Sequence, residues 1–591
     1  MIRKHNPYRT LLPLLLIVVF IFLLASCGGR GEATGPQSTA PAATLPASGV
    51  PASTAGEPTA PEKNGEVYVL YTSDVHCGID EGFGYVGLCQ IRQALEEAGY
   101  TTLLVDNGDA VQGDAVGVLS RGEAIIDLMN ALRYDAAIPG NHEFDYGTDQ
   151  FRNLVGRANY PYLSCNLRYK GERVLDPYVL LDAAGLSIAF VGVTTPRTIT
   201  SSTPAYFQDE NGEFVYDFMG DETGEAVYGA VQNAVDAARA DGADLVFVLG
   251  HLGFDEEDRP WTYADVIGHT SGIDVLLDGH SHDSEQVTVK DKDGRDVIRS
   301  ACGTKLASVG YCKIGADGKI LDTGVWTWSN DVSAPELLGI ENDLTAPVAD
   351  ALRSVEEKLG AVVGRADYQL TIYDPTATDS AGKPIRIVRR AETNLGDLCA
   401  DAVLNATRAD IAVVGGGGIR TDIPVGPVRY RDLVAVDPFG NEICVIRATG
   451  QMILDALEWG VRTVPGEGGS FLQVAGLTYS IDTSVPSPVL ADENGMMTGV
   501  GEGERRVFDV CVGGVPLDPA KEYTVGGANY TLLFNGSGLT AFDGAELVTV
   551  CVGLDYEILA DFVKETLGGV IGERYADPYG DGRITAFDGK Q

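Results

Sequence analysis

The chain has 591 residues, of which 45% are hydrophobic, and a formal net charge of −41 at pH 7. This length allows several domains, and the hydrophobic content is ordinary for a globular protein. The negative charge argues against a nucleic acid polymer as a partner, because binding such a polymer needs a basic surface. It does not exclude a small anionic substrate, since bound metal ions can dominate the electric field within a site.

The N-terminus has the features of an export signal. Basic residues precede an apolar run from Leu11 to Leu24, which is followed by Ala-Ser-Cys27-Gly. This order is typical of a secretory signal, and its end resembles a bacterial lipoprotein box, in which Cys27 receives the lipid. We therefore expect a lipoprotein signal peptide at residues 1–27, and an exported protein anchored on the outer side of the bacterial membrane. The alternative is an uncleaved anchor, although the run is short for a span of about 20 residues.

Residues 28–64 are rich in Gly, Ala, Pro, Ser and Thr. Such a segment lacks the apolar side chains needed to form a core, so we predict a disordered tether. We expect the remainder to contain a first domain at 65–335, a connecting helix at 336–365 and a second domain at 366–591.

Five short apolar runs in the first domain end in residues that commonly bind metals. In chain order these residues are Asp74 and His76, Asp109, Asn141 and His142, His251, and His280 and His282. Short runs rich in Val, Leu and Ile, alternating with helix-like segments, are typical of buried parallel strands in an α/β sandwich. Because ligands bind beyond the carboxyl ends of such strands, we expect these side chains to meet at one edge.

Histidine usage favours a metal site at this edge. Five of the 7 His residues lie at these strand ends, and none follows His282. One such His alone would more often be a hydrogen-bonded structural residue, but five of them beside Asp and Asn favour metal binding. A mixed set of nitrogen and oxygen ligands without thiolates suits zinc, manganese or iron.

The later part of the chain has features of a connecting helix and a ligand-binding loop. Residues 343–359 have helical spacing and precede Gly360, which favours a helix end there. A second helix is predicted from Glu392-Thr-Asn onward, and a strand from Ala409 to Val414 leads into Gly415-Gly-Gly-Gly-Ile-Arg420. A glycine run after a strand allows a ligand to come close to the backbone.

These motifs together resemble those of the calcineurin-like metallophosphoesterases. The motifs are Asp74-Val-His76, Gly108-Asp109, Gly140-Asn-His-Glu143, Gly250-His251 and Gly279-His-Ser-His282. Their longer forms, with Asp437-Pro-Phe-Gly-Asn441, resemble the bacterial 5'-nucleotidase, UDP-sugar hydrolase and 2',3'-cyclic phosphodiesterase group. The resemblance implies an α/β fold with an N-terminal calcineurin-like α/β sandwich, a linker helix that lets the domains rotate, and a C-terminal α/β 5'-nucleotidase domain.

The resemblance also implies two divalent metal ions, zinc, manganese or similar, and assigns their ligands. One ion takes Asp74, His76, Asp109 and His282, and the other takes Asp109, Asn141, His251 and His280. Asp109 would bridge the ions with its two oxygens. His142 would assist the leaving group while Asp145 orients its imidazole; the alternative for Asp145 is that it caps a helix.

Substrate-binding residues are implied in the second domain. They are Phe439 and Tyr530 on the two faces of a base, Arg420 and Arg390 near anionic groups, and Asn441 at the base edge. The chain departs from the family pattern at Gly415, Ala391 and Ser537, where relatives often have Asn, Arg and an acidic residue. These departures concern substrate identity rather than the metal chemistry.

We therefore predict an exported, membrane-anchored phosphoesterase that uses two metal ions to hydrolyse phosphate esters of nucleotides. The alternatives within the class are a 2',3'-cyclic nucleotide phosphodiesterase and a UDP-sugar hydrolase. Two alternatives lie outside this class of enzyme. One is a non-catalytic surface lipoprotein, although such a protein has no need for both Asp109 and the His142–Asp145 pair. The other is a sulfur-ester hydrolase of similar architecture.

Overall fold

The computed structural model describes residues 65–588, apart from 210, 256–257, 329–340, 379–381 and 493. The predicted signal peptide with Cys27 and the predicted tether lie outside the described residues. Within the part of the chain that the structure describes, no helix has both the length and the hydropathy needed to cross a membrane.

The first domain is built on two sheets. Its strands are β1 (Val67–Thr72), β2 (Thr101–Asp106), β3 (Ala136–Ala137), β4 (Arg168–Tyr169), β5 (Glu172–Arg173), β6 (Tyr178–Ala183), β7 (Leu186–Thr194), β8 (Tyr216–Asp217), β9 (Leu245–His251), β10 (Val275–Asp278), β11 (Gln286–Lys290), β12 (Asp296–Ala301), β13 (Ser308–Ile314) and β14 (Ile320–Thr327). One sheet has the order β14-β13-β1-β2-β3 and the other the order β11-β12-β10-β9-β7-β6. Strands β1 to β3 are parallel, as are β7, β9 and β10, so their carboxyl ends share an edge.

Helices cover the outer faces of these two sheets. They are α1 (Gly84–Glu97), α2 (Ala115–Ser120), α3 (Glu123–Leu132), α4 (Thr148–Arg157), α6 (Glu225–Ala240) and α7 (Tyr263–His269), while the short α5 (Thr198–Ser201) packs in a separate small cluster through Ile199. Side chains alternate along a strand, so Leu70 of β1 faces α1 to α3 while Tyr71 packs against Phe190 and Phe247 of the other sheet. α6 and α7 cover the far side of the second sheet. The predicted α/β sandwich is confirmed.

The connecting helix, α8 (Thr345–Leu359), ends at Gly360 as predicted. Its apolar residues Val348 and Val355 join the core beneath α1 to α3. On its other side Glu356 accepts hydrogen bonds from Arg429 at 3.3 Å and Arg431 at 2.7 Å, both in the second domain. The helix therefore contacts both domains.

The second domain combines several smaller sheets with helices. Its strands are β15 (Val362–Ala366), β16 (Tyr373–Thr378), β17 (Pro384–Arg386), β18 (Ile411–Gly415), β19 (Gly426–Arg429), β20 (Glu442–Thr449), β21 (Leu472–Ala475), β22 (Leu477–Asp482), β23 (Val489–Ala491), β24 (Met497–Val500), β25 (Val507–Val512), β26 (Val515–Pro516), β27 (Glu522–Ala528), β28 (Glu546–Leu554), β29 (Val570–Ile571) and β30 (Ile584–Phe587). Its helices are α9 (Asn394–Thr407), α10 (Tyr430–Val436), α11 (Gly450–Gly460), α12 (Asn529–Leu532) and α13 (Asp555–Asp561).

The main sheet of the second domain has the order β21-β18-β27-β20-β28. One apolar core, which includes Leu395 and Leu398 of α9, lies on one side of this sheet, and another, which includes Trp459 of α11, lies on the other. The hydroxyl of Thr393 accepts the N–H of Gly396 at 3.0 Å and so caps the start of α9. The predicted α/β character of this domain is confirmed.

Candidate active site

The predicted metal ligands follow the carboxyl ends of β1, β2, β3, β9 and β10, where the chain turns sharply. Positive φ angles, between 45° and 82°, occur at Asp74, His76, Asp109, His280 and His282. This conformation is uncommon for residues other than glycine, and it concentrates at functional sites, where the surrounding fold enforces it. Here the N–H of His76 donates to the carbonyl of Asp109 at 2.9 Å, so the first two turns support each other.

Asp74, His76 and His282 bring their ligand atoms together in what we name the first ligand group. Nε2 of His282 is 3.1 Å from Nε2 of His76 and 3.5 Å from Oδ1 of Asp74. Nδ1 of His76 is 2.9 Å from the carbonyl oxygen of Gln112. Because a carbonyl only accepts hydrogen bonds, Nδ1 carries the proton and Nε2 keeps its lone pair for a metal.

Asn141, His251 and His280 form the second ligand group. Oδ1 of Asn141 is 3.3 Å from Nε2 of His251 and 3.0 Å from Nδ1 of His280. Nδ1 of His251 is 2.7 Å from the carbonyl oxygen of Asn107, so Nδ1 carries a proton and Nε2 is the ring nitrogen directed at the group. His280 instead turns Nδ1 toward the group.

Asp109 lies between the two ligand groups and is only 1% exposed. Its Oδ2 is 3.2 Å from Nε2 of His251 and 3.9 Å from Nε2 of His76. Its Oδ1 accepts the backbone N–H of His142 at 2.8 Å. Asp109 therefore reaches both groups, and its Oδ1 also holds the loop that carries His142. The predicted bridge between two ions stays a prediction.

Burial and mutual charge set the ionisation of this centre. Burial alone would raise the pKa of Asp109, but His251 and the other neighbouring imidazoles outweigh it and hold the pKa well below its usual range. Burial would lower the pKa of His251, yet Asp109 raises it to about 10. For Asp74 burial prevails over the attraction of His251 and raises the pKa to about 6. The centre thus favours an ionised Asp109 beside positive charge, which a divalent cation would also provide.

Glu143 is a supporting residue that we did not predict. It is buried, and its carboxylate accepts the N–H groups of Asp109 and Ala110, each at 2.8 Å, and of Gly140 at 2.6 Å. Burial and the charge of Asp109 raise the pKa of Glu143 to about 7. The sequence offers one indication of this role, because Glu143 directly follows two candidate site residues in Gly140-Asn-His-Glu143. Glu143 joins the loops after β2 and β3.

His142 and Asp145 form the predicted pair. Nδ1 of His142 is 2.5 Å from Oδ2 of Asp145, whose Oδ1 accepts the hydroxyl of Ser202 at 2.9 Å. The alternative that Asp145 caps a helix does not hold, since α4 begins at Thr148 after Gly147. A ring nitrogen of His142 lies within 4.8 Å of ligand atoms of His76 and Asp109. The carboxylate therefore orients an imidazole at the edge of the ligand groups.

Buried ion pairs hold the loop that carries His280 and His282. Arg299 donates to Asp278 and to Asp283, which flank this loop, at 2.8 Å each. Its guanidinium also lies over the ring of Tyr263, 4.3 Å from the centroid. Removing one partner of a buried pair leaves an uncompensated charge, so these contacts keep both histidines in place.

Two aromatic residues of the second domain reach the first domain. The ring centroid of Phe439 is 6.0 Å from that of His142, and the Tyr530 hydroxyl donates to the carbonyl of Thr200 at 3.4 Å. The same hydroxyl accepts the N–H of Ser537 at 2.9 Å. Both aromatic residues thus lie where the second domain meets the first, and Phe439 adjoins His142 of the candidate pair.

Three arginines of the second domain each contact a backbone carbonyl. Arg420 and Arg389 both approach the carbonyl oxygen of Gly417, at 3.4 and 3.5 Å. Burial, with the positive charges of Arg386 and Arg420, holds the pKa of Arg389 well below its usual range. Arg390, which the resemblance places near anionic groups of a substrate, donates to the carbonyl of Pro465 at 3.2 Å. Its role in substrate binding stays a prediction.

The backbone of Asn441 and the glycine run make structural contacts. The N–H of Asn441 donates to the carboxylate of Asp555 at 2.7 Å, and the N–H of Asp555 donates to the carbonyl of Asn441 at 3.0 Å. A Cβ at Gly416 would be 2.3 Å from the carbonyl oxygen of Val388, and one at Gly417 would be 2.8 Å from that of Gly469. Backbone packing therefore requires both glycines, while the contacts of Asn441 and of the glycine run with a ligand stay predictions.

Comparison with known proteins agrees with this geometry. Residues 67–284 match the family model described as calcineurin-like phosphoesterase, and residues 362–544 match the one described as 5'-nucleotidase, C-terminal domain. The chain belongs to the metallophosphoesterases that carry a C-terminal 5'-nucleotidase domain.

Relatives of this metallophosphoesterase span both domains. It is 27% identical over 551 residues to snake venom 5'-nucleotidase from Crotalus adamanteus, covering 84% of this chain and 86% of that protein. It is 28% identical over 479 residues to the trifunctional nucleotide phosphoesterase protein YfkN from Bacillus subtilis, covering 71% of this chain but 29% of that protein. The crystal structure of a 5'-nucleotidase precursor from Thermus thermophilus is similar with a TM-score of 0.71 and 27% identity, covering 89% of this chain and 100% of that one.

The residues of this metallophosphoesterase fit the metal ions that its family uses. Ligand atoms bound to one ion at about 2.0–2.2 Å lie roughly 3–3.5 Å from one another. Contacts of 3.0 Å between Asn141 and His280, and of 3.5 Å between Asp74 and His282, match this spacing. The donor set consists of imidazole nitrogens, carboxylate oxygens and the amide oxygen of Asn141. The chain is a metal-dependent phosphoric ester hydrolase.

Proposed function

We propose that this metallophosphoesterase is a 5'-nucleotidase that removes the phosphoryl group from nucleoside monophosphates. The observation that carries the proposal is the position of Phe439, whose ring centroid is 6.0 Å from that of His142. An aromatic platform from the second domain thus adjoins the imidazole nearest the ligand groups. A substrate with a base at one end and a phosphate ester at the other suits this arrangement.

In this proposal the first ligand group, the second ligand group and Asp109 would hold two divalent ions, zinc or manganese. Such ions would neutralise phosphoryl charge and supply a water-derived nucleophile near neutral pH. Arg389 and Arg420 bind anionic oxygens of the substrate, since both guanidinium groups approach the same loop at Gly417. Phe439 stacks on the base, an interaction of about 1–3 kcal/mol that tolerates many bases.

His142 acts on the ester itself in this proposal. Its Nδ1 proton is directed at Asp145, 2.5 Å away, so the ring keeps one orientation and its Nε2 is available to the substrate. As an imidazolium it donates a hydrogen bond to a phosphoryl oxygen and then passes that proton to the departing ribose oxygen. Asp145 stabilises the positive ring during this transfer.

We also propose that the enzyme is exported and anchored by a lipid on Cys27. Support comes from the basic residues, the apolar run and the Ala-Ser-Cys27-Gly end of the N-terminal segment. An outward-facing enzyme would act on nucleotides outside the cell.

The proposal predicts the order of activity on three substrates. With purified protein and either Mn²⁺ or Zn²⁺, phosphate release should be faster, in kcat/KM, from AMP than from UDP-glucose or 2',3'-cyclic AMP. A chelator should abolish all activity, and added metal should restore it. A clear preference for the cyclic nucleotide or for UDP-glucose would replace the proposal with one of those two activities.

Arg389→Ala and Arg390→Ala form a matched pair of variants. Loss of a charge-assisted hydrogen bond costs about 1.5–3 kcal/mol, so Arg389→Ala should raise the KM for AMP roughly 10- to 100-fold. Arg390→Ala should leave the KM within about twofold, because its guanidinium bonds to Pro465 instead. Steady-state kinetics of both variants measures this difference, and equal effects would contradict the assignment of Arg389.

A further inference from the structure

The segment between β9 and α7 contributes a carboxylate that contacts the candidate ligand His280 on the side away from the second ligand group. Asp258 in this segment is 1% exposed. Its Oδ1 is 3.3 Å from Nε2 of His280 and 3.8 Å from Nε of Arg197. No motif that we used in the sequence includes this residue.

The orientation of the His280 ring explains why the contact with Asp258 matters for metal binding. Nδ1 of the ring is 3.0 Å from Oδ1 of Asn141, inside the second ligand group. Nε2 then points away from the group, toward Asp258. An imidazole that uses Nδ1 as a ligand atom must carry its proton on Nε2 and needs an acceptor for it.

Asp258 has the properties of that acceptor. Among the described residues, neither of its side-chain oxygens has a hydrogen-bond partner of ordinary geometry, even though both are buried. A buried carboxylate is costly unless it is paired. Nε2 of His280, at 3.3 Å, is closer to Oδ1 of Asp258 than Nε of Arg197 is, at 3.8 Å, so the imidazole N–H is the donor placed to pair with this carboxylate.

We infer that Asp258 is a positioning residue that fixes the proton and the orientation of His280, and thereby strengthens metal binding by the second ligand group. The inference rests on the metal-binding part of the proposed function and not on the nucleotide preference. Loss of such a hydrogen-bonded partner behind a metal ligand typically weakens metal affinity 10- to 100-fold. In the first ligand group, Nδ1 of His76 contacts the carbonyl of Gln112 and not Asp258. Metal binding by the first group should therefore not depend on Asp258, and it serves as the internal control.

The test is titration of the full-length, metal-free protein with Zn²⁺ in competition with a chromophoric chelator. Wild-type protein should bind two Zn²⁺ ions. In Asp258→Ala one dissociation constant should rise 10- to 100-fold, while the other changes less than about threefold. Asp258→Asn keeps the volume and an acceptor oxygen but loses the charge, so its effect should be smaller and in the same direction.

The variant Arg197→Met tests whether Asp258 acts through His280 or only through its ion pair with Arg197. If Asp258 acts through His280, Arg197→Met should leave both Zn²⁺ constants within about threefold of wild type. Circular dichroism and the Tm of each metal-free variant show whether it folds. Unchanged constants in both Asp258 variants, or an equal loss in Arg197→Met, would overturn the inference. Failure of the wild-type protein to bind a second Zn²⁺ would instead count against the proposed two-metal function.

Discussion

Replacing His142 with alanine is expected to lower kcat about 100- to 10,000-fold while both metal ions stay bound. The ring lies at the edge of the ligand groups, and its Nδ1 is already engaged by Asp145 at 2.5 Å. Its loss removes a proton donor at the ester but no ligand atom that the two groups require. Steady-state kinetics with AMP, together with elemental analysis of the same protein sample, measures both quantities.

Asp145→Asn provides the matched control for this variant. It keeps the size of the side chain but removes the charge that orients and stabilises the imidazolium, so kcat should fall by less than in His142→Ala. Metal content should again be that of the wild type. If His142→Ala loses metal in proportion to activity, His142 is a ligand rather than a proton donor, and the proposed mechanism is wrong.

Asp109→Ala is expected to have the largest effect of any single substitution in the site. Oδ2 of Asp109 is the atom close to both ligand groups, at 3.2 Å from His251 and 3.9 Å from His76. Its removal leaves the imidazoles without the central anion and frees the His142 loop. Both Zn²⁺ constants should weaken, and phosphate release should fall to the background rate.

Titration with Zn²⁺ measures this prediction directly, and Glu143→Gln is the comparison. Glutamine preserves the size and one acceptor oxygen for the N–H groups of Asp109, Ala110 and Gly140. It should therefore weaken metal binding less than Asp109→Ala does. Retention of one ion at wild-type affinity in Asp109→Ala would show that the two ions do not share this carboxylate.

The sequence supported strong predictions wherever a residue's role depends on its position at the end of a strand. Apolar runs that break into Asp, Asn or His specify buried parallel strands and place those side chains at one edge. The candidate ligands from Asp74 to His282 follow from this pattern, and the structure brings all of them together. The α/β sandwich and the helix ending at Gly360 followed from the same local patterns.

Contacts between segments far apart in the chain were not accessible in this way. Asp258 and Glu143 support the centre through hydrogen bonds or ion pairs whose partners are set by the fold. Which segment each of the adjacent residues Arg389 and Arg390 contacts depends on the fold, because spacing along the chain does not distinguish them. The packing of the glycine run against Val388 and Gly469 likewise depends on segments elsewhere in the chain.

The amino-acid sequence by itself therefore determined the type of chemistry, because it marked a set of candidate metal ligands and an imidazole next to them. Ligand type and strand position are both local properties. Only the tertiary structure decided that Asp109 lies between the two ligand groups, that Asp258 contacts His280 on the side away from the second group, and that Phe439 lies next to His142. Those facts depend on how loops and domains meet, and such distances result from packing that no single segment encodes.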